Sequence, residues 1–308
     1  MRAAVFSCLG LGDGLNALVL SYNLQRHGYI VDTFHPFLQE MQTWFPFTTI
    51  SSLEKFSLDS LLGYDKIFLF HEKTDQMLAV QTFCQERCSH TCTILNPIAT
   101  LHNDYPFWGN GKFDGRKTFA DNVVDFCKKT LHLQESIKSC GIIQPSHVTQ
   151  RKFPRRIVIH PTSSLATRNW SWDKFLMLKE EYKKRGWDPY FLLMPQEKAQ
   201  YPGVSEGESP DIHNLIEMAL FIAESGIFIG NDSGPGHLAS ALGVPTLTIC
   251  RSYTVASFWR PGFAPGEVVA PYSWLPNFKG FRWRDHNWQR CVSVSKVLRA
   301  SEKFMSHF

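Results

Sequence analysis

The sequence predicts an α/β chain with two Rossmann-like domains that face a central cleft. Strand patterns alternate with helix patterns twice along the 308 residues, and strand–helix–strand order indicates a parallel sheet. A polar, basic, proline-bearing stretch at 142–156 separates the two series, as expected of a domain boundary. We therefore predict an N-terminal domain over residues 1–148 and a C-terminal domain over 149–308. The final helix either stays in the second domain or packs back on the first.

The first series contains four strands with helices between them. RAAVFSC (2–8) has the apolar run of a buried strand, and the helix pattern GLNALVLSYNLQRHG (14–28) ends at a glycine, a helix C-terminal signal. The same criteria predict the remaining elements, which are strands at 29–34, 66–70 and 92–97 and helices near 73–87 and 117–133.

The second series repeats this organisation. RIVIH (156–160) is apolar and β-branched, as in a buried strand, and SWDKFLMLKEEYKKRG (171–186) has helix periodicity and a C-terminal glycine. The further predicted elements are strands at 189–194, 226–230 and 245–250, helices at 211–225 and 235–242, and a final amphipathic helix from residue 293.

The composition excludes several classes of protein. A hydrophobic share of 44% with 19% charged residues is typical of a globular chain with a sizeable core. The net charge of +4 is too small for a dedicated nucleic-acid binder, although it suits an anionic small molecule or membrane surface. No apolar run reaches the roughly 18–20 residues that span a bilayer, and the N-terminus lacks a signal-peptide pattern. We expect a cytoplasmic protein, with peripheral contact at the inner face of the cytoplasmic membrane as an open alternative.

Three of the eight cysteines are regularly spaced. Cys84, Cys88 and Cys92 recur every four residues around His90, so their thiols could share a helical face and hold a metal. The favoured interpretation is that they are reduced, buried and act as small apolar residues, because no second ligand cluster follows. We therefore predict no metal site.

The segment GNDSGPGHLASALG (230–243) places small and polar residues where a strand gives way to a helix. Ligands of open α/β sheets bind at such junctions, where glycines admit the ligand and a helix N-terminus offers free N–H groups. Ser233 can cap or donate, Pro235 suits the first helical turn, and His237 adds a donor that can carry charge. The segment predicts a phosphate or diphosphate cradle, with a capped helix and a core histidine as the alternative.

These residues resemble the donor-site signature of glycosyltransferase family 9, the lipopolysaccharide heptosyltransferases. In that signature an Asp, a Thr or Ser, a Gly and a His open the helix that holds the diphosphate of a nucleotide sugar, as in NDSGPGHLASALGVPTLTI here. CLGLGDGLNAL (8–18) is similar to the family's first glycine-aspartate loop, and IHPTSSLATRNWSWDKF (159–175) to its small-hydroxyl, basic-x-Trp segment. The resemblance covers much of residues 155–250 and about the first 30.

The resemblance implies a GT-B fold, with the acceptor in the first domain, the donor in the second, and metal-independent inversion at the anomeric carbon. Asp13 matches the proposed general base, with a helix N-cap as its alternative role. No cofactor is implied beyond the nucleotide-sugar donor, most simply ADP-heptose. The implied donor-site residues are Thr162, Ser163, Arg168, Glu197, Asp232, Ser233, Gly234, Pro235, Gly236 and His237.

Three of these positions keep alternatives open. Arg168 stands where family members often carry Lys. The positive charge is kept, but the compact ammonium of Lys is replaced by a planar guanidinium group. Glu197 either faces the nucleoside or is a solvated loop residue. Asp232 either anchors its loop by accepting backbone N–H bonds or ligates a metal.

The implied acceptor is a lipopolysaccharide core or related glycan, and no nucleic-acid partner is expected. Two further functions stay open: a non-catalytic nucleotide-sugar-binding or scaffold protein, and another GT-B enzyme such as a nucleotide-sugar epimerase. The stretch NFKGFRWRDHNWQR (277–290) mixes cations with aromatic rings. It could stack on sugars, lie at an anionic membrane interface, or cover the domain seam.

Overall fold

The chain forms two compact units, residues Met1–Pro145 and Ser146–Phe308. The computed structural model describes residues 1–96, 113–205 and 207–306. The division falls three residues before the boundary predicted from the sequence. The predicted α/β class, with a parallel sheet in each half, is confirmed.

The first unit is built on a five-stranded parallel sheet in the order β3-β2-β1-β4-β5. Its strands are β1 (Arg2–Phe6), β2 (Ile30–Phe34), β3 (Thr49–Ser51), β4 (Lys66–Phe70) and β5 (Cys92–Leu95). Its helices are α1 (Leu11–Arg26), α2 (Asp75–Arg87) and α3 (Phe119–Lys129), with short 3₁₀ turns at Leu38–Trp44, Leu53–Lys55 and Leu58–Gly63.

Helix α1 crosses from the central strand β1 and packs against α3. It is buried along most of its length, as expected of a helix that is apolar nearly all round. It begins at Leu11, three residues before the predicted start, because Gly10 adopts an extended N-cap conformation and the chain turns helical directly after it.

The second unit is also built on a five-stranded parallel sheet, in the order β10-β9-β8-β6-β7. Its strands are β6 (Phe153–His160), β7 (Asp188–Phe191), β8 (Ser225–Asn231), β9 (Thr246–Ile249) and β10 (Gly266–Val269). Its helices are α4 (Trp172–Lys184), α5 (Pro195–Lys198), α6 (Leu215–Ala223), α7 (Gly234–Ala241), α8 (Tyr253–Trp259), α9 (Trp283–Cys291) and α10 (Val294–Met305), with a 3₁₀ turn at Ala166–Arg168.

The final helix belongs to the second unit, where α10 packs against α4 and β10. Its apolar residues Val297 and Leu298 join the same core as the inward-facing side chains of β6, β8 and β9. An amphipathic face buried on its own sheet therefore accounts for the helix pattern predicted from residue 293.

Strand order places one ligand crevice in each sheet. In the first sheet, β1 lies between β2 and β4, and in the second, β6 lies between β7 and β8. In each sheet, the strand or strands that follow the first strand are added on one side of it, and the later strands are added on its other side. Ligands of open parallel sheets bind outside the carboxyl ends of the two strands that flank such a switch point. These are β1 and β4 in the first unit, and β6 and β8 in the second.

Candidate functional site

His160, the last residue of β6, joins two of the predicted donor-site residues. Its Nε2 lies 3.1 Å from Oγ1 of Thr162, and its Nδ1 lies 3.1 Å from Oγ of Ser233. Burial lowers the pKa of His160 to about 4, although a hydrogen bond with the Thr162 backbone opposes the shift. The imidazole is therefore neutral at pH 7 and links the loops after β6 and β8 across the switch point. Sequence reasoning missed this residue, and its one signal is a histidine that ends an apolar strand.

Asn231, the last residue of β8, ties the same two loops together. Its Nδ2 donates to the Pro161 carbonyl at 2.6 Å, and its Oδ1 accepts from the Trp170 N–H at 2.9 Å. The neighbouring Gly230 is required by close packing, because an added Cβ would lie 2.5 Å from the carbonyl oxygen of His160. The strand ends are therefore fixed before any ligand arrives.

The predicted helix N-terminus is present where the sequence places it. Helix α7 begins at Gly234, and Ser233 is its N-cap. Ser233 makes no side-chain cap hydrogen bond, because its hydroxyl is engaged with His160. The Gly236 and His237 N–H groups both point to the Ser233 carbonyl, at 3.1 and 3.4 Å. Pro235 has no N–H, so the Gly234 N–H, at the start of the helix, is the group best placed to meet an anion.

His237 differs from the prediction. It is buried, and burial lowers its pKa to about 4 against a hydrogen bond with the Trp259 backbone. Within the described residues, its Nδ1 is buried without a hydrogen-bond partner. The side chain is therefore a neutral link between α7 and the end of α8. It does not carry the charge expected from its ordinary pKa, and its contact with a diphosphate stays a prediction. The helix that carries His237 packs against α6, β8 and β9, and the local motif does not reveal this burial.

Asp232 and Arg168 form the charged part of the site. Burial raises the pKa of Asp232 to about 6, while the positive charge of Arg168 lowers it. The anchoring bonds expected for Asp232 are not seen, since no hydrogen bond from backbone N–H to its carboxylate occurs among the described residues. Arg168 ends the 3₁₀ turn after β6 and is exposed. Its guanidinium is accessible to an anion.

Ser163 and Glu197 have local partners. The Ser163 hydroxyl lies 2.6 Å from Oδ1 of Asn169 and shapes the loop that carries Arg168. Oε2 of Glu197 accepts the Met194 N–H at 2.8 Å, so this side chain caps the short helix α5. Glu197 is thus a structured capping residue, and a contact with a nucleoside stays a prediction.

In the first unit, Asp13 lies in the first turn of α1 and is partly exposed. Gly10, not Asp13, is the N-cap, so the alternative role of N-cap is wrong. An added Cβ at position 10 would lie 2.5 Å from Oδ2 of Asp13. The carboxylate therefore folds back over the glycine, beside the end of β1.

Two residues that sequence reasoning missed hold the loop before Asp13. His35, after β2, is fully buried; its Nδ1 accepts the N–H groups of Phe37 and Leu38, at 3.1 and 3.2 Å. Its Nε2 therefore carries the proton and donates to the Gly10 carbonyl at 3.1 Å. Burial lowers the pKa of His35 to about 4, so this arrangement persists at neutral pH.

Glu72, after β4, supports the other side of that loop. Its Oε2 accepts the Leu9 N–H at 2.9 Å. Burial raises the pKa of the Cys8 thiol, and the charges of Asp13 and Glu72 raise it further. The carboxylates of Asp13 and Glu72, which follow β1 and β4, therefore both disfavour ionisation of the buried Cys8 thiol, and this thiol stays neutral.

The three regularly spaced cysteines contact one another at the end of α2 and the start of β5. The Cys84 thiol has hydrogen bonds with Cys88 and Cys92, and burial raises the pKa of Cys88. Cys84 and Cys88 belong to the apolar core of the first unit. In the described parts of the chain, no group of three or more His, Cys, Asp or Glu side chains is arranged to hold a metal ion. No helix there has the length and apolar character needed to cross a bilayer.

Comparison with known sequences finds a family match and a curated relative, each over about half of the chain or less. Residues 131–263 match the model of Glycosyltransferase family 9 (heptosyltransferase). Lipopolysaccharide heptosyltransferase 3 of Escherichia coli strain K12 is 30% identical over 163 residues, which make up 48% of this chain and 46% of that protein. The chain therefore aligns with about half the length of this curated relative. The family match contains the segments at 159–175 and 230–243, and the loop with Asp13 lies outside it.

Comparison with solved structures extends over the whole chain. A family 9 glycosyl transferase from Veillonella parvula has a TM-score of 0.70 at 16% identity, over 100% of this chain and 98% of that chain. The Escherichia coli heptosyltransferase WaaC, solved with ADP, has a TM-score of 0.67 at 14% identity, over 98% of this chain and 99% of that chain. At these identities the likeness shows the fold, which is GT-B. The resemblance to glycosyltransferase family 9 predicted from the motifs is thus confirmed, since the family model matches residues 131–263 and a curated heptosyltransferase aligns over 163 residues.

Proposed function

We propose that this protein is an inverting glycosyltransferase that moves a sugar from a nucleotide-sugar donor to a glycan acceptor. The donor is most simply ADP-heptose, and the acceptor is a lipopolysaccharide core or a related glycan. One of the similar structures was solved with ADP, which supports an adenine nucleotide. We place the protein in the cytoplasm, where such donors are made available to a transferase.

The junction at His160 carries this proposal. One buried imidazole joins the hydroxyls of Thr162 and Ser233, at 3.1 Å each. This junction lies at the switch point of the second sheet, inside the segment that matches the family. Ser233 is the N-cap of α7, and the exposed Arg168 is close enough to the neighbouring Asp232 for its charge to lower the pKa of that carboxyl. Directed donors and a cation together are what a leaving nucleotide diphosphate requires as its charge develops.

In the first unit, we assign the acceptor and the general base to the start of α1 and the loop that precedes it. An acceptor hydroxyl loses its proton as it attacks the anomeric carbon, and the carboxylate of Asp13 can accept that proton. His35 and Glu72 hold the loop through the Gly10 carbonyl and the Leu9 N–H. The base would therefore be positioned by bonds that exist without substrate.

We also propose that transfer needs no metal ion. Arg168 and the N-terminus of α7 supply the positive elements that would otherwise come from a cation. Transfer activity should therefore persist in excess EDTA. Loss of transfer under EDTA, with recovery on addition of Mg²⁺ or Mn²⁺, would contradict this and make Asp232 the first residue to test as a ligand.

The test is a calorimetric titration with ADP, UDP and GDP, followed by assay of the matching sugar nucleotides with and without glycan acceptors. We expect ADP to bind, Ser233→Ala to weaken it, and the control Ser257→Ala on α8 to leave it unchanged. ADP binding without transfer to any acceptor would favour the scaffold function. Conversion of the donor sugar without an acceptor would favour an epimerase.

A further inference from the structure

We propose that the loop at residues 272–283, here called the aromatic loop, docks the protein on a bilayer that contains anionic lipid. The inference is independent of the proposed catalysis, because none of the loop residues is among those assigned above to the donor site or to the general base. It rests on three observations, which are the exposure of five aromatic rings, the geometry of a small hairpin, and the charge around it.

The aromatic loop leaves unusually large apolar side chains in solvent. Trp274 is 76% exposed and Phe278 is 64% exposed, and Tyr272, Phe281 and Trp283 also count among the exposed residues. Single exposed apolar residues are normal on protein surfaces, whereas a contiguous group marks an interaction site. Five such rings within twelve residues form a group of that kind.

The tip of the loop is a hairpin that presents two of these rings side by side. Phe278 and Phe281 exchange backbone hydrogen bonds, at 3.1 and 2.9 Å, as an antiparallel pair. Their ring centroids lie 5.4 Å apart. Gly280 has a φ of +87°, a left-handed conformation that suits glycine and closes the turn. Lys279 is exposed at the tip between the rings.

A second pair of rings stands at the base of the loop. Tyr272 and Trp274 stack with centroids 6.1 Å apart and planes inclined by 19°. The Lys296 ammonium of α10 lies 3.6 Å from the Tyr272 ring centroid and donates to the Ala270 carbonyl. The base is therefore attached to the unit, while Trp274 points into solvent.

The charges around the rings favour a lipid surface over a sugar. Residues 272–290 contain four basic residues and a single acidic one, Asp285. The Asp285 carboxylate is already bonded by Asn277 and Arg282, at 3.1 and 3.3 Å. A sugar platform commonly places a carboxylate beside its rings to accept from hydroxyl groups, and here the one carboxylate is already bonded by Asn277 and Arg282. Aromatic side chains with Lys and Arg beside them are typical of segments that lie in the headgroup region of anionic bilayers.

The experiment is co-sedimentation of the full-length protein with vesicles of equimolar phosphatidylcholine and phosphatidylglycerol, compared with phosphatidylcholine alone. We expect binding to the anionic vesicles that weakens as salt is raised. Phe278→Ser with Phe281→Ser should weaken binding at least about tenfold, and Lys279→Gln about fivefold. Met177→Ser and Lys128→Gln, which alter an exposed apolar and an exposed basic residue on α4 and α3, are the matched controls.

Each other outcome would overturn the proposal. Wild-type protein that ignores anionic vesicles has no such surface, and loop variants that bind like wild type would place the contact elsewhere. Soluble core oligosaccharide that displaces the protein from vesicles and quenches Trp274 fluorescence would make the loop a glycan site. Circular dichroism and ADP binding of the loop variants should match wild type, so that failure here is distinct from failure of the catalytic proposal.

Discussion

At the scale of single residues, two neutral histidines hold the loops assigned to the candidate site, one in each unit. His35 donates to the Gly10 carbonyl before Asp13, and His160 bonds the hydroxyls of Thr162 and Ser233. Both have pKa values lowered by burial to about 4. A neutral imidazole can donate and accept at once, which is what a link between two polar groups requires.

Asp13→Asn should lower transfer by about 10²–10⁴-fold, because it removes the proton acceptor while preserving the size of the side chain. The measurement is kcat, with ADP affinity expected to stay near wild type. Gly10→Ala is a second, independent perturbation, because its Cβ would collide with Oδ2 of Asp13.

If Asp13 is the base, Gly10→Ala should slow wild type but add little to Asp13→Asn, since both changes then act on one group. An Asp13→Asn variant with wild-type turnover would leave Asp13 with a structural role only.

His160→Phe should weaken ADP binding by about tenfold, which corresponds to about 1.4 kcal/mol. The new ring can keep the stacked packing on Phe228, but the hydroxyls of Thr162 and Ser233 lose their common partner. Calorimetry gives the Kd. On a Ser233→Ala background the same change should have a smaller effect, and ADP affinity that is indifferent to His160 would contradict the assigned role.

At the scale of elements, helix α7 is bonded to the end of α8, which its motif does not indicate. His237 on α7 bonds the backbone of Trp259 at the end of α8 and is buried. The same residue that the motif assigns to a phosphate therefore connects two helices.

His237→Ala should lower the free energy of unfolding by about 1–3 kcal/mol, because the hydrogen bond between the buried His237 and the Trp259 backbone would be lost. Urea denaturation measures this, with the exposed His213→Ala on the same unit as control. Unchanged stability together with lost ADP binding would restore the direct phosphate contact predicted from the sequence.

The regular elements were largely predictable, because their apolar runs carry the signal. The strands β1, β4, β6 and β8 lie where the sequence places them, within a few residues. The edge strands β3 and β10 were missed, since β3 has only three residues and β10 follows the stretch RPGFAP, whose Pro and Gly residues are typical of a loop. His160 was missed for a different reason: its partner Ser233 is 73 residues away, and only the order of strands in the sheet brings the two together.

At the scale of the whole molecule, buried histidines in both units make the stability of the fold depend on pH. Burial lowers the pKa of His35 and His71 in the first unit and of His160 and His237 in the second. Unfolded, each would titrate near 6.5. Below that pH the unfolded chain binds more protons than the folded one.

The free energy of unfolding should therefore fall as the pH drops from 6.5 to about 4. Asp232 has the opposite effect on stability, because its raised pKa lets the folded state hold a proton below about 6. We expect the combined effect of the four histidines to exceed the effect of this single carboxyl. Urea titrations across this range measure the slope, and His160→Phe should reduce it. Stability that is constant or rises on acidification would contradict this.

The bonds of His160 also determine which of its two hydroxyl partners can donate a hydrogen bond to a ligand. A neutral imidazole offers one N–H and one lone pair, so of the hydroxyls of Thr162 and Ser233 one receives a hydrogen bond and the other supplies one. The first keeps its own proton for a ligand, and the second presents only lone pairs. In either tautomer of His160, one hydroxyl of the pair can donate to a ligand and the other can only accept. Moving the imidazole proton to the other nitrogen exchanges these two roles. A diphosphate, which only accepts, matches one member of the pair, while the other is suited to a ligand hydroxyl that donates.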